Sequence, residues 1–257
     1  MSLRPRQSFA FHANAYALNA SFHRPAACQI EAQAATCVPI FGGHAHSCAM
    51  DFSVPRLARF RSAHSHVSGS MQDEHTATTQ AITTILGLNI MDVITADRIV
   101  ARLTSEHKLG DSDGQPPDRE GHILALGSTF ENLRIAGFTF NIVLRHDFLL
   151  ESKTHTELAN KIPSLKNSGG IANTQGGIAL CSLVEKIETD FPGLSDADKK
   201  QHIIDIPHLG TISFAEVLSL EGMKTLSMLR FDLGSPDGGG GTAAVASVNG
   251  KMPPPIP

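Results

Sequence analysis

The sequence predicts an all-β or β-dominated protein with one or two short helices. Polar and apolar residues alternate over long segments, and these segments are rich in threonine, isoleucine and valine, which favour a pleated sheet. Hydrophobic residues make up 41% of the 257 residues, which is enough apolar surface for a packed core. We expect long mixed or antiparallel strands in a sandwich, a barrel or a solenoid-like core.

Three regions are expected along the chain. Residues 1–7 form an N-terminal arm, residues 8–234 form a single β-rich domain, and residues 235–257 form a Gly/Pro-rich tail. The tail contains four consecutive glycines and ends in Met-Pro-Pro-Pro-Ile-Pro, a composition typical of mobile or polyproline II segments. We therefore expect that a neighbouring subunit would be needed to hold it in place.

The first strand is expected within residues 8–22. Apolar residues occupy odd positions from Phe9 to Ala17 and even positions from Leu18 to Phe22. Because alternate residues of a strand share a face, this switch predicts a β-bulge at Ala17-Leu18. The other expected strands are residues 76–90, 93–105, 122–126, 130–144, 178–189, 203–206, 211–220 and 223–233; residues 26–42, 108–121 and 167–177 are expected to be irregular.

Two capping signals predict short helices. Thr154-x-x-Glu157 is a capping box, and Pro163 is expected to end the helix that it begins. Ser195-x-x-Asp198 is expected to cap a short polar helix at residues 196–201.

Two His-x-His pairs are the most distinctive motif: His44-Ala45-His46 and His64-Ser65-His66. We expect residues 43–52 and 58–67 to form antiparallel strands joined by a loop around Pro55. The mirror register of such a hairpin sets His44 opposite His66. It also sets His46 opposite His64, so that four imidazoles meet on one face.

Three interpretations of this histidine face stay open. Neutral imidazole is a common ligand of zinc, copper and nickel, and Cys48 and Ser62 lie next on the same face. The second interpretation is that the face is a solvated polar strip or packs against a neighbour. The third interpretation is a pH switch, since four protonated imidazoles would repel and loosen the hairpin below about pH 6. Apart from Zn or Cu on this face, no cofactor is expected.

Other catalytic patterns are weak or absent. The chain has no Gly-x-Ser-x-Gly motif, no phosphate-binding glycine motif and no Cys-x-x-Cys pair. Cys181 lies in an apolar strand and is expected to be a buried structural thiol. Cys28 and Cys37 are close enough in sequence for a disulfide, but free thiols are equally compatible with the sequence. Asp92, Asp97 and Glu131 lie in strand-rich segments and are candidates for a catalytic carboxylate pair, but Arg98, Arg102 and Arg134 favour simple surface pairing.

Composition limits the partners. The formal net charge is −4 and no basic block stands out, which argues against a nucleic-acid partner. No run of 18 apolar residues exists, so no membrane span is expected. The N-terminus lacks an apolar signal-peptide core, which favours a cytoplasmic or non-classically exported protein. The sequence identifies no small-molecule ligand.

Three strings carry a resemblance: Gly-Ser-Thr-Phe-Glu-Asn-Leu-Arg-Ile-Ala-Gly at 127–137, Val-Ile-Thr-Ala-Asp-Arg-Ile-Val-Ala-Arg at 93–102, and Leu-Ser-Met-Leu-Arg-Phe-Asp-Leu-Gly-Ser-Pro at 226–236. They resemble a family of uncharacterised bacterial β-rich proteins and, more distantly, the choice-of-anchor group of secreted or surface proteins. The resemblance implies an all-β fold and favours a non-enzymatic role. It assigns no activity or functional residue.

These observations favour a structural or assembly protein that forms a homo-oligomer or a fibre-like particle. Apolar residues occupy both parities of the segment 223–233, so the sheet is expected to be covered on both sides. Edge strands and the tail would supply the contacts between subunits. The rival hypothesis is a metal- or ligand-binding protein, including a metalloenzyme, that uses the four histidines.

Overall fold

The computed structural model describes residues 9–110, 120–152, 154–165, 178–196, 198–220, 222–234 and 238–251. The expected N-terminal arm, the loop at 167–177 and most of the loop at 108–121 lie outside these residues.

Two antiparallel β-sheets packed face to face form most of the described structure, so the predicted β-dominated class is confirmed in its sandwich form. The described strands are β1 (Ala10–Arg24), β2 (Cys28–Ile30), β3 (Thr36–Cys37), β4 (Gly43–Val54), β5 (Ala58–Met71), β6 (Thr76–Ile90), β7 (Ile94–Lys108), β8 (His122–Leu124), β9 (Thr129–Glu131), β10 (Arg134–Ile135), β11 (Phe138–Leu144), β12 (Ala179–Ser182), β13 (Val184–Thr189), β14 (Ile203–Ile206), β15 (Gly210–Leu220), β16 (Met223–Leu233) and β17 (Gly238–Lys251).

The first sheet has the order β12-β15-β16-β17-β1-β2, with β14 also paired to β15 and β3 also paired to β1. The second sheet has the order β13-β11-β10-β7-β6-β5-β4, with β8 and β9 also paired to β7. Strands β1, β17 and β16 lie over β5, β6 and β7, and the hydrophobic core fills the space between them.

Two α-helices, α1 (Phe148–Glu151) and α2 (His155–Leu165), complete the described elements together with a 3-10 turn at Asp198–Lys200. The capping box is confirmed: the amide of Glu157 donates to Oγ1 of Thr154, and the amide of Thr154 donates to the Glu157 carboxylate. Pro163 does not end α2, which continues to Leu165, because a proline in the last turn disturbs few helical hydrogen bonds. Among the described residues, neither helix has the length or apolar character to cross a membrane.

In the first sheet, the side of each strand that faces the core changes along a line that crosses the strands. We call this line the crease. The crease passes through Ala17, Ala244, Met228 and Ala215, which the ladder of paired residues skips. Ala215 and Ala244 have positive φ angles of 46° and 52°. The predicted parity switch at Ala17 is therefore confirmed. The predicted β-bulge is wrong, because the register is the same on both sides of the crease.

The second sheet has a matching crease through Asp51, Arg61, Gly87 and Asp97. Gly87 and Asp51 have positive φ angles there, 68° and 49°.

The reversal of the core-facing side at a crease explains why apolar residues occupy both parities of one strand. On β16, Leu226 precedes the crease and Phe231 follows it, yet both are buried. The mixed parities of this strand therefore do not require a covering subunit.

The expectation of a separate mobile tail is wrong for residues 238–251, which form β17 between β16 and β1. Their glycines are needed because aromatic rings lie over the strand. A Cβ on Gly241 would be 2.8 Å from Cζ of Phe231, and a Cβ on Gly239 would be 2.9 Å from Cδ1 of Phe22. The rings of Phe22 and Phe231 stack at 6.3 Å between centroids. Glycine in this strand therefore marks a close approach rather than a linker.

Two predicted strands are divided in the structure, and three strands, β2, β3 and β17, were not predicted. The segment 178–189 divides at Leu183 into β12 and β13, which belong to different sheets. The segment 130–144 divides into β9, β10 and β11, and the chain turns at Gly137 (φ 85°) between β10 and β11. Residues 26–42 contain β2 and β3, which are too short for an alternation to be recognised.

Candidate functional site

Four exposed histidines and one exposed cysteine lie on the outward face of the β4–β5 hairpin, which we call the histidine face. His46 lies directly opposite His66, and Cys48 lies directly opposite His64. The two opposed pairs are two residues apart along the strands. The sequence therefore predicted correctly which hairpin carries the four histidines and that they share one face.

The register of this hairpin differs from the prediction by two residues. The directly opposed pairs are not the predicted ones, His44 with His66 and His46 with His64. The hairpin is centred on Arg56, which has a left-handed φ of 65°, rather than on Pro55. Because the shift is an even number of residues, the side chains keep their face.

His44 lies at one end of the histidine face, opposite Ser68. Its ring is nearly parallel to that of His66, with 6.5 Å between the centroids and 26° between the planes. Across the described ranges, no three side chains of His, Cys, Asp or Glu are gathered as a metal-ligand set. The function of His44, His46, His64 and His66 as a Zn or Cu site therefore stays a prediction.

Strand β4 is also an edge of the second sheet. In the part of the chain that the structure describes, β4 pairs with β5 alone, and its other side carries no strand. Three large apolar side chains lie along or beside it: Phe41 is 91% exposed, Met50 60% and Ile40 58%. They are the most exposed of the large apolar side chains described. This combination of a free edge and apolar side chains is typical of an interaction surface.

A group of buried and half-buried polar side chains was missed by sequence reasoning. We call it the inner polar cluster, and its members are Ser105, His107, Glu120, His155, Ser219 and Lys224. Nδ1 of His155 and Oγ of Ser219 are 3.1 Å apart, and the backbone amide of His155 donates to the Glu120 carboxylate. Ser219 lies directly opposite Lys224 on the neighbouring strand. No sequence spacing predicts this cluster, because its members come from five separate segments.

Burial shifts the pKa values of Lys224, a member of the inner polar cluster, and of Cys181. It lowers the pKa of Lys224 to about 8, although the carboxylates of Glu120 and Glu157 act in the opposite direction. It raises the pKa of the Cys181 thiol to about 12, against the opposite effect of the Lys224 charge. Cys181 is only 2% exposed, so the prediction of a buried thiol is confirmed. All four cysteines are free thiols.

Four members of the inner polar cluster are buried, whereas Glu120 and His155 are half-buried. Thr79 and Ser105 lie opposite each other, fully buried, and within the described structure neither hydroxyl has a hydrogen-bond partner. Gly121 lies close to Ser105 and His107: a Cβ there would lie 2.3 Å from Oγ of Ser105 and from Nε2 of His107. Ser219, the partner of His155, is fully buried as well.

A second buried group lies on β15, β16 and the segment before β14. Nε and one terminal nitrogen of Arg230 each donate to Glu216, at 2.7 Å. His202 is only 2% exposed, and its Nε2 is 3.8 Å from the same carboxylate. Burial lowers the pKa of His202, Glu216 raises it, and Arg230 lowers it. The group links an ion pair to a buried imidazole.

The three carboxylates considered from the sequence have ordinary surface partners. Glu131 accepts a hydrogen bond from Arg98 at 2.8 Å, and Asp97 accepts one from the side-chain amide of Asn132 at 2.6 Å. Asp92 accepts one from Arg59 at 2.8 Å. Surface pairing is therefore confirmed for these groups, but Arg59 at Asp92 and Asn132 at Asp97 take the place of the expected arginines.

The fold and these surfaces define the class: an antiparallel two-sheet β-sandwich protein with a histidine-bearing edge hairpin. Residues 9–169, more than half of the chain, match the family described as "Domain of unknown function (DUF8256)", and the chain belongs to that family. This agrees with the resemblance to an uncharacterised β-rich family. No curated protein and no solved structure matches the chain.

Proposed function

We propose that this protein has a structural role and self-associates through the free edge of β4. The observation that carries the proposal is that β4 is a long edge strand without the usual protection. It contains 12 residues, Gly43–Val54, with no lysine, arginine or proline and with Asp51 as its only charge. Exposed edges of this kind pair readily with another strand, whereas most proteins block them with charge, proline or a short strand.

The other described sheet edges are blocked in these ways. β13, at the opposite edge of the second sheet, has six residues that include Glu185, Lys186 and Glu188. In the first sheet, β12 has four residues and β2 has three. Among the described edges, β4 is thus the one that offers a long ladder of backbone donors and acceptors.

The apolar residues beside β4 favour a second copy of the same chain as the partner. Phe41 precedes the strand and Met50 lies near its other end. If two copies of β4 pair antiparallel about a two-fold axis at His46, Met50 of each copy lies opposite Gly42 of the other, next to Phe41. Such a pairing is self-complementary and closed. Asp51 of one copy would then face the uncharged end of the other strand, without a like-charge contact.

The proposed self-association does not involve the tail. Residues 238–251 pair on both sides with strands of their own chain, so they are not free to reach a neighbour. The distant resemblance to choice-of-anchor proteins is compatible with a structural role, but it adds no residue to the argument.

The experiment measures the mass of the native particle by light scattering after size-exclusion chromatography, over a range of protein concentrations. We expect about twice the chain mass of 27.4 kDa for the natural sequence. The variant Phe41→Ser/Met50→Lys should elute as a monomer, because it removes apolar contacts and places a charge beside the edge. Both side chains are exposed, so the variant should still fold, with a melting temperature lowered only by the stabilisation that dimerisation adds to the natural protein.

The matched control is Leu126→Ser/Leu150→Lys, which changes two other exposed apolar residues (47% and 44%) away from β4. It should leave the dimer intact. A natural protein that is monomeric at every concentration would overturn the proposal, as would a dimer that the Phe41/Met50 variant does not dissociate. Open-ended assemblies would overturn the two-fold arrangement.

A further inference from the structure

We propose that the histidine face binds one Zn²⁺ ion through His46, His64, His66 and Cys48. The site uses outward side chains of one hairpin. It is therefore independent of the β4 backbone edge and of the self-association proposed above.

The register supplies the geometry. His46 is opposite His66 and Cys48 is opposite His64, and directly opposed residues of an antiparallel pair have Cβ atoms about 4.5–5.5 Å apart. The two pairs are two residues apart, which is about 7 Å along a strand. The four side chains thus stand at the corners of a small rectangle on one face. An ion above this rectangle is within reach of the imidazoles, and a displacement toward Cys48 brings its shorter side chain into range.

The side chains are free to turn toward such an ion. All four are exposed, and no hydrogen bond or ion pair holds them within the described structure. The ring of His66 stacks with the ring of His44, with 6.5 Å between the centroids. Rotation about side-chain bonds is therefore enough to gather ligands that now stand apart, and the backbone of the hairpin does not have to move.

The donor set selects the ion. Three imidazole nitrogens and one thiolate are ligands of tetrahedral Zn²⁺, whereas Mg²⁺ and Ca²⁺ require oxygen donors. Binding replaces the S–H bond of Cys48 with a sulfur–zinc bond and releases the proton to solvent. His44 lies outside the rectangle, opposite Ser68, so we expect it to contribute much less than His46.

The experiment is calorimetric titration of the reduced protein with Zn²⁺ at pH 7.5, with Co²⁺ as a spectroscopic probe of the thiolate. We expect one ion per chain and an absorption from the sulfur–cobalt bond that Cys48→Ser abolishes. His46→Ala/His66→Ala should weaken Zn²⁺ binding by about 10-fold or more, since even loss of an outer partner of a ligand has an effect of that size. His44→Ala should weaken it much less.

The matched control is His12→Ala/His75→Ala, which removes two exposed histidines elsewhere and should bind Zn²⁺ like the natural protein. Phe41→Ser/Met50→Lys should also keep one ion per chain, which separates this site from the proposed dimer. Absence of Zn²⁺ binding, or binding that the His46/His66 variant retains, would overturn the proposal. A stronger effect of His44 than of His46 would overturn the ligand set.

Discussion

Arg230 on β16 binds Glu216 on β15 through two hydrogen bonds of 2.7 Å, one from Nε and one from a terminal nitrogen. The Glu216 side chain is only 7% exposed, whereas that of Arg230 is 49% exposed. The same arginine is 3.3 Å from Oγ of Ser213, which lies directly opposite it. The pair thus fixes a buried carboxylate against a cation that still contacts water.

Loss of Arg230 should leave this carboxylate buried without its counter-charge. Breaking a fully buried pair destabilises a protein by about 3–5 kcal/mol, and the half-exposed arginine should reduce the effect of Arg230→Met to about 2 kcal/mol. Urea denaturation measures the free energy of unfolding. The double variant Glu216→Gln/Arg230→Met should recover most of the loss, because it leaves no isolated charge. Equal losses in the single and double variants would contradict this account.

His202 should make the protein less stable in acid. Because burial lowers its pKa in the folded state, the unfolded chain binds the proton more readily. The stabilisation is therefore complete above the unfolded pKa of about 6.5, and it declines as the pH falls below that value, by at most about 1.4 kcal/mol per pH unit. Unfolding free energies of the natural protein and of His202→Gln, measured from pH 7.5 to 5, should converge. Parallel pH profiles would show that the ring does not titrate in this way.

Lys224 should have the corresponding effect in alkali. Its folded pKa of about 8 lies below the unfolded value of about 10.4, so stability should rise with pH between these values, by up to about 1.4 kcal/mol per pH unit. Cys181 opposes this above about pH 8.5, because its folded pKa of about 12 keeps the thiol protonated. The difference between the natural protein and Lys224→Met isolates the lysine. Lys199→Met, which changes a more exposed lysine, serves as control and should show no such difference.

Gly87 should be needed for the crease of the second sheet. Its φ is +68°, and a Cβ there would lie 3.4 Å from Cβ of Arg61, an ordinary contact. The effect of Gly87→Ala should therefore come from the left-handed backbone alone, at about 1–2 kcal/mol of lost unfolding free energy. Gly234→Ala is the control, because the nearest atom to a Cβ there is 3.8 Å away and the backbone is not left-handed. Equal stability of the Gly87 variant and the natural protein would contradict this role.

Local patterns predicted the strands well where alternation was long. Residues 76–90 were predicted as a strand, and β6 has those bounds. The capping box at Thr154 was also predictable, because its two reciprocal hydrogen bonds span only three residues. The inner polar cluster was not predictable, because Glu120, His155 and Ser219 meet only after the sheets pack.

The histidine face was predictable as a face but not as a set of pairs. Alternation places His44 and His46 on the same side, whatever the register. The opposed partners depend on the hairpin centre, and the left-handed backbone of Arg56 has no signal as strong as that of Pro55. A shift of two residues exchanged the predicted partners and brought Cys48 opposite His64.

The β-rich class and most strand positions could be predicted from the sequence, because alternation and capping act over a few neighbouring residues. The side of each strand that faces the core, and the position of the C-terminal segment, depend instead on how the two sheets pack. On β16, Leu226 and Phe231 reach the same core only because the sheet reverses between them. The segment 238–251 became a central strand because β1, at the other end of the chain, supplies its partner, with Ala15 opposite Ala246. Pairing between such distant segments leaves no periodic signal in either one.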